Sequence, residues 1–185
     1  MLGTACGLGI TGSGWVVSPG LVVTAAHVVA GETNTSVVQS GSTQRLDAQP
    51  IAFDPRNDVA VLRVPDLAAK PLPVADPDSG ASVAIVGYPL NGPLDSEPGR
   101  VGRTQTVLTD DAYGHGPVSR TVTSVGGVVR HGNSGGPAID SSGRVQLTVF
   151  AARIGGYGGY GIPTQVVRRV LATAHGPVST GDCAP

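Results

Sequence analysis

Short apolar runs, most of them rich in valine, recur along nearly the whole chain and are separated by glycine, proline, asparagine and aspartate. Runs this short suit β-strands better than helices, because β-branched side chains pack well on a pleated sheet. The 28 glycines and 15 prolines supply the turns that such strands need. We interpret as strands the runs at 15–17, 21–23, 37–38, 59–62, 81–86, 101–108, 118–125 and 144–150.

The strand runs form two halves of similar size, separated by a proline-rich segment between Pro65 and Pro77 that has no periodic pattern. One later segment has helical spacing, with Thr164 as its N-cap and Gly176 as its end. The pattern predicts a pair of small β-barrels and a closing helix. The expected units are an N-terminal half, a connector, a second half, the helix and a tail, at 1–70, 71–80, 81–163, 164–176 and 177–185.

Charge and composition exclude several kinds of partner. With 12 basic and 13 acidic residues and a net charge of -1, the chain has no basic face for a phosphate backbone, so we expect no nucleic-acid partner. The longest apolar run, at 21–30, is short and contains His27, so a membrane contact would need segments outside this sequence. The four histidines have no paired spacing, and we expect neither a metal nor a cofactor.

The two cysteines, Cys6 and Cys183, lie near opposite ends of the sequence. They are too far apart for a redox or zinc motif of closely spaced cysteines. Two interpretations stay open: a disulfide that closes nearly the whole chain, or two separate buried thiols. A disulfide would imply an oxidising compartment such as a periplasm or the cell exterior.

The segment Gly132-Asn133-Ser134-Gly135-Gly136-Pro137 has the composition of a loop that presents a nucleophile. A serine hydroxyl is a weak nucleophile at neutral pH, so it needs an imidazole to take its proton and a carboxylate to orient that imidazole. Backbone N–H groups aimed at a developing oxyanion require a tight loop, for which glycine is suited.

Three stretches resemble the signatures of trypsin-like serine proteases: Thr-Ala-Ala-His at 24–27, Asp-Val-Ala-Val-Leu at 58–62, and Gly132 to Pro137. Their order along the chain also matches that family. The third stretch has the form that is typical of the bacterial periplasmic branch of this family. The run from Gly159 into the predicted helix also resembles that branch. The resemblance implies an all-β fold of two six-stranded antiparallel barrels with a C-terminal α-helix.

By this resemblance Ser134 would be the nucleophile, His27 the general base and then acid, and Asp58 the carboxylate that orients the imidazole. Gly132, Asn133 and Ser134 would form the oxyanion hole, with the backbone N–H groups of the first and last as donors. The N-terminal half would hold His27 and Asp58, and the second half would hold Ser134.

Each of these residues also has a structural interpretation. Ser134 could be a turn residue, and His27 could be a buried core histidine. Asp47, Asp54 and Asp66 lie in the same half as Asp58, and an aspartate before a strand is often a cap. The family places its aspartate directly before a short apolar strand, which favours Asp58.

The resemblance places the substrate pocket just before the nucleophile and on the strand after it. Neither stretch contains an acidic residue, and a buried basic side chain without a carboxylate is costly. We therefore expect a preference for an apolar side chain of moderate size. Phe150 has a core interpretation as well. The candidate pocket residues are Val128, His131, Val149, Phe150 and Ala151.

These features predict a serine endopeptidase that acts on protein or peptide substrates through an acyl-enzyme. The alternatives are a catalytically silent peptide-binding or scaffold domain on the same fold, and an esterase. We expect a periplasmic or extracellular location. The terminal cysteines and the use of arginine over lysine resemble membrane-anchored periplasmic proteases of actinobacteria linked with acid resistance, with the anchor outside this sequence.

Overall fold

The computed structural model describes residues 1–5, 7–152 and 157–182. The predicted disulfide falls outside these residues, since Cys6 and Cys183 are not among them. Within the described ranges, the strands are β1 (Leu2–Ala5), β2 (Leu8–Thr11), β3 (Trp15–Ser18), β4 (Leu21–Thr24), β5 (Glu32–Val38), β6 (Arg45–Asp54), β7 (Val59–Arg63), β8 (Ser82–Gly87), β9 (Asp95–Thr109), β10 (Val118–Gly127), β11 (Pro137–Asp140), β12 (Val145–Ala152) and β13 (Gly159–Pro163). The helix is α1 (Thr164–Leu171), and two 3-10 turns span Ala26–Val28 and Pro89–Asn91.

The strands form two antiparallel sheets, one from each half of the chain. The first has seven described strands in the order β2-β1-β5-β6-β7-β4-β3, and the second is a closed six-stranded barrel in the order β10-β13-β12-β11-β8-β9. The predicted all-β class, with two antiparallel β units and a C-terminal helix, is confirmed, but the first unit has seven described strands instead of the predicted six. The seventh strand of the first sheet arises because β1 and β2 form a hairpin that pairs with β5.

A shared core joins the two sheets. Its buried members come from both halves and from the helix, and include Trp15, Ile51, Val145, Ile162 and Val166. Trp15 Nε1 donates a hydrogen bond of 3.0 Å to the hydroxyl of Thr148, which satisfies the indole inside this core. The two sheets therefore share one buried core.

Helix α1 covers this core and is shorter than the predicted 164–176. Just after Leu171 the backbone hydrogen bonds become those of a 3-10 turn, from the N–H of residue i to the carbonyl of residue i−3. The hydroxyl of Thr173 also donates to the carbonyl of Val170 at 2.7 Å. These bonds take the carbonyls that a longer helix would use, so α1 ends before Gly176. Thr164 does not cap the helix, because its hydroxyl donates to the carbonyl of Ala75 at 2.7 Å.

Residues 64–81 connect the two halves without a regular strand or helix. A parallel bridge between Val74 and Val145 and a backbone bond from Leu72 to Val16 attach this connector to both sheets. The division of the chain into units at 1–70, 71–80, 81–163, 164–176 and 177–185 stays a prediction. No helix in the described part of the chain is long and apolar enough to span a membrane.

Candidate active site

Asp58 holds His27 through both the imidazole ring and the backbone. His27 lies in the 3-10 turn Ala26–Val28 directly after β4, and Asp58 lies in the turn between β6 and β7. The Asp58 carboxylate accepts hydrogen bonds from Nδ1 of His27 at 2.8 Å and from its backbone N–H at 2.8 Å. The Asp58 side chain is 4% exposed and that of His27 is 34% exposed. This contact leaves Nε2 of His27 to accept a proton in the cleft.

The turn that presents Asp58 has an unusual backbone. Asp58 has a φ of 60°, a left-handed conformation that aspartate tolerates better than most residues. Its carbonyl accepts the N–H of Ala26 at 3.0 Å, while the carboxylate of Asp54 accepts the N–H of Asn57 at 3.0 Å. Asp54 therefore closes the turn, and Asp58 is the aspartate that reaches the imidazole.

The loop around Ser134 depends on two glycines. Gly132 and Gly135 have φ values of 94° and 84°. A Cβ on Gly132 would lie 2.3 Å from the carbonyl oxygen of Tyr88, and one on Gly135 would lie 2.2 Å from that of Ser13. Both positions thus need glycine for the backbone angle and for the space, as the glycine-rich sequence predicts.

Ser134 and His27 line the same cavity between the two halves. This cavity has a volume of about 490 Å³, and its lining residues are Gly9, Ile10, Thr11, His27, Val28, Leu90, Asn91, His131, Gly132 and Ser134. The hydroxyl of Ser134 donates to the carbonyl of Phe150 at 3.4 Å, near the limit for a hydrogen bond. Among the described residues there is no hydrogen bond between Ser134 and His27.

Two backbone N–H groups of this loop have no hydrogen-bond acceptor within residues 1–5, 7–152 and 157–182. They belong to Gly132 and Ser134, the predicted oxyanion donors. The N–H of Asn133 donates to the carbonyl of Arg130 at 3.1 Å, so it closes the turn instead. The role of an oxyanion hole stays a prediction, with two of the three loop residues offering a donor.

Ser13 is a site residue that sequence reasoning missed. Its side chain is inside the protein, with the residue only 1% exposed. The hydroxyl donates to the carbonyl of Gly132 at 2.6 Å and accepts the N–H of Tyr88 at 3.0 Å. The carbonyl of His131 accepts the N–H of Leu90 at 2.8 Å. The peptide groups on both sides of Gly132 are therefore fixed by bonds to the segment after β8.

The predicted pocket residues have different surroundings. His131 lines the cavity with Ser134, and Val128 is half-buried beyond the end of β10. Val149 is fully buried in the core of the second barrel. Phe150 packs against the shared core and the core of the first half, and Ala151 is a half-buried residue of β12. Their assignment to a substrate pocket stays a prediction.

Arg120 on β10 is a second residue near the site that sequence reasoning missed. Its side chain is 5% exposed, and its Nη1 lies 3.9 Å from Oδ2 of Asp58. Burial lowers the pKa of Arg120, and the negative charges of Asp58, Asp110 and Asp111 act in the opposite direction. The aspartate that holds His27 therefore has a buried positive charge beside the same oxygen, Oδ2, that bonds the imidazole.

The chemistry of the site is that of side chains and backbone N–H groups. Within the part of the chain that the structure describes, no group of three or more His, Cys, Asp or Glu side chains is arranged to hold a metal ion. The described arrangement contains a hydroxyl, an imidazole with a fixed tautomer, a buried carboxylate and two free N–H donors in one cleft.

Comparison with known proteins agrees with this geometry. The family model "Trypsin-like peptidase domain" matches residues 12–146. The chain is 38% identical to "Serine protease Rv3671c" of Mycobacterium tuberculosis over 188 residues, which cover 98% of this chain and 47% of the relative. It is 35% identical over 175 residues to "Probable periplasmic serine endoprotease DegP-like" of Brucella suis, covering 86% of this chain and 32% of the relative. The chain thus spans less than half the length of these relatives.

Two solved structures of the mycobacterial protein are similar to this one. The crystal structure described as the active form of Rv3671c protease has a TM-score of 0.91 at 36% identity, and the match covers 100% of this chain and 84% of that chain. The form described as inactive has a TM-score of 0.79 at 36% identity, and the match covers 95% of this chain and 88% of that chain. The fold of this chain is closer to the first of these two forms.

Proposed function

The chain belongs to the trypsin-like peptidase family of serine proteases, and from this premise we propose that it is the catalytic domain of a serine endopeptidase. One observation carries the proposal: the Asp58-bound imidazole of His27 and the hydroxyl of Ser134 open onto the same cavity. The free N–H groups of Gly132 and Ser134 lie in the same loop as the nucleophile. These are the groups that acyl transfer from a peptide bond requires.

In the proposed acylation step, the Ser134 oxygen bonds to the carbonyl carbon of the scissile peptide while its proton passes to Nε2 of His27. The carbonyl oxygen becomes an oxyanion, which accepts hydrogen bonds from the N–H groups of Gly132 and Ser134. His27 then gives its proton to the leaving nitrogen, the C–N bond breaks, and the acyl group stays on Ser134. Asp58 stabilises the imidazolium between these two proton transfers.

Deacylation repeats these steps with water. Water bonds to the acyl carbon as His27 takes one of its protons, and the same proton returns to the Ser134 oxygen as the ester breaks. The product acid leaves as a carboxylate at neutral pH. The enzyme thus ends in its starting state without a cofactor.

Before acylation, the Ser134 hydroxyl has to turn from the carbonyl of Phe150 toward His27. The bond that it leaves is weak at 3.4 Å, so the rotation costs little. Catalytic hydrogen bonds in ligand-free enzymes are often long and shorten when substrate binds. The higher similarity to the active form of Rv3671c protease supports a competent arrangement of the surrounding loops.

The proposed substrate is a protein or peptide, with an apolar side chain of moderate size next to the scissile bond. Val128, His131, Val149, Phe150 and Ala151 contain no carboxylate to pair with a basic side chain. The name of the Brucella relative supports a periplasmic or extracellular location. A membrane anchor, a link with acid resistance and a Cys6–Cys183 disulfide stay predictions.

A peptide-library cleavage profile tests this function. We expect hydrolysis of internal peptide bonds after apolar residues, with no cleavage by Ser134→Ala prepared in the same way. Cleavage of simple esters without cleavage of any peptide would favour the esterase. Peptide binding without hydrolysis of either class would favour the silent binding domain.

A further inference from the structure

Arg120 has an unusual environment for a guanidinium. It lies on β10 of the second barrel, and its side chain is 5% exposed. Its Nε and Nη1 atoms are buried and have no hydrogen-bond partner among the described residues. Burying a charge without hydrogen bonds is costly, so a compensating interaction is needed to keep it there.

Two neighbours compensate for this burial. The guanidinium carbon of Arg120 lies 4.2 Å from the centre of the Phe150 ring, which is a cation–π contact. On another side, Nη1 lies 3.9 Å from Oδ2 of Asp58, the oxygen that also accepts the bond from His27 Nδ1. Arg120 therefore lies beside the Asp58 carboxylate that holds His27.

The other charged groups around this cluster lie on the β9–β10 loop, on the nucleophile loop and on the β6–β7 turn, where Nε of Arg56 donates to the carbonyl of Ser119 at 3.1 Å. Asp110 and Asp111 act on Arg120 through their charge, and Asp111 also accepts the N–H of His115 at 2.9 Å. His131 lines the cavity that contains His27. The β9–β10 loop is fixed to the first half by a bond of 2.9 Å from Ala112 N–H to the carbonyl of Pro55.

We propose that Arg120 is a positioning residue of the proposed reaction: its buried positive charge holds the Asp58 carboxylate against His27 and opposes protonation of the imidazole as the pH falls. This inference rests on the proposed function for its catalytic meaning. The effect of the Arg120 charge on His27 and Asp58 does not depend on that function. That effect can be tested in a protein with no activity.

The direction of the effect follows from charge. When His27 is neutral, Arg120 and Asp58 are an ion pair of zero net charge. Protonation of His27 adds a positive charge beside the same carboxylate, and Arg120 repels it through a water-poor interior. A neutral residue at 120 therefore makes protonation of His27 easier and moves its midpoint to higher pH.

The experiment follows the imidazole nitrogens of His27 by ¹⁵N NMR as a function of pH, in a Ser134→Ala background with and without Arg120→Met. We expect the methionine variant to raise the midpoint by about half a pH unit or more. In proteins with Ser134 intact, the acid limb of kcat/KM should move in the same direction.

Two further variants separate charge from structure. Arg169→Met removes a positive charge at an exposed position on α1, and we expect the midpoint to stay in place. Arg120→Lys keeps the charge and should also keep the midpoint. Arg120→Gln is neutral and should raise it, which makes it the decisive variant if Arg120→Met does not fold. A midpoint unmoved in Arg120→Met, or raised in Arg120→Lys, would overturn the proposal.

The NMR result is independent of the proposed function. If no variant, including the protein with Ser134 intact, cleaves any substrate, the endopeptidase proposal fails while the titration still tests the field of Arg120. If the protein is active and the midpoint does not respond to the charge at 120, the positioning role fails alone.

Discussion

His27 is bound by Asp58 at two points at once, its ring nitrogen Nδ1 and its backbone N–H, each 2.8 Å from a carboxylate oxygen. A carboxylate that accepts both bonds fixes the position of the turn as well as the plane and tautomer of the ring. The positive φ of Asp58 is the backbone conformation that brings this about. The orientation of the base is therefore built into the β6–β7 turn.

Asp58→Asn should lower kcat by about 10⁴-fold, as the same change does in other Ser-His-Asp proteases. The reason is that an amide can donate to Nδ1 of His27 and so stabilise the wrong imidazole tautomer. The variant also leaves Arg120 beside a neutral group, so we expect a lower Tm. Steady-state kinetics on a peptide substrate and thermal denaturation measure the two effects. Asp47→Asn, on the exposed face of β6, is the matched control and should behave like the parent. Equal kcat for Asp58→Asn and the parent would contradict the role of Asp58.

Gly132→Ala should lower kcat by about 10²- to 10³-fold, the cost of losing an oxyanion donor. The added Cβ would lie 2.3 Å from the carbonyl oxygen of Tyr88, so the loop has to move. Gly143→Ala is the control, since Gly143 also has a positive φ, 76°, but has open space around its Cβ. We expect the control to lose some stability and no activity. A similar loss of activity in both variants would mean that the loop position is unimportant.

Ser13→Ala should lower both activity and stability. It removes the donor to the Gly132 carbonyl and the acceptor of the Tyr88 N–H. Because these two residues are half-buried, we expect a cost toward the lower end of about 1–3 kcal/mol. Because the peptide next to Gly132 is then less fixed, we expect kcat to fall by about tenfold or more. Ser36→Ala loses a bond of 3.0 Å to the Leu2 carbonyl, and neither residue lines the cavity, so its kcat should not change.

Asp140 should make stability depend on pH in the acid range. Burial raises its pKa, but hydrogen bonds from the backbone of Arg144 and Ser142 and the side chains of Gln146 and Arg144 outweigh this and lower it. A lowered pKa gives stability that is present above the unfolded value, about 3.9, and is lost as the pH falls through the folded value. The Tm difference between the parent and Asp140→Asn should therefore be largest near neutral pH and shrink below about pH 4. Gln105→Ala, a change at a neutral and exposed position of β9, is the control and should show no such trend.

The strands that were predicted from sequence are those with short uninterrupted apolar runs. Val59 to Leu62 is an example, and it became the fully buried centre of β7. Strand β6 was missed because its buried residues alternate with polar ones and it contains Pro50, which interrupts the pattern. In the structure Pro50 lies where the register between β6 and β7 shifts, a position where proline is tolerated.

The site was predicted where its chemistry lies in local motifs, and missed where it depends on contacts between distant segments. His27, Asp58 and Ser134 each lie in a distinctive stretch. Ser13 acts on Gly132 and Arg120 acts on Asp58, and neither has a local pattern that indicates its partner. The contact exists only after the two halves have packed, so no spacing in the sequence could indicate it.

The most direct test of the central claim is covalent labelling with a fluorophosphonate probe, followed by mass spectrometry of the modified peptide. The probe reacts only with a serine that a neighbouring base has activated. We predict one adduct, on Ser134, that is abolished in Ser134→Ala and lost in His27→Ala while Ser36→Ala labels normally. Absence of labelling in the folded parent, or labelling that persists in His27→Ala, would contradict the account.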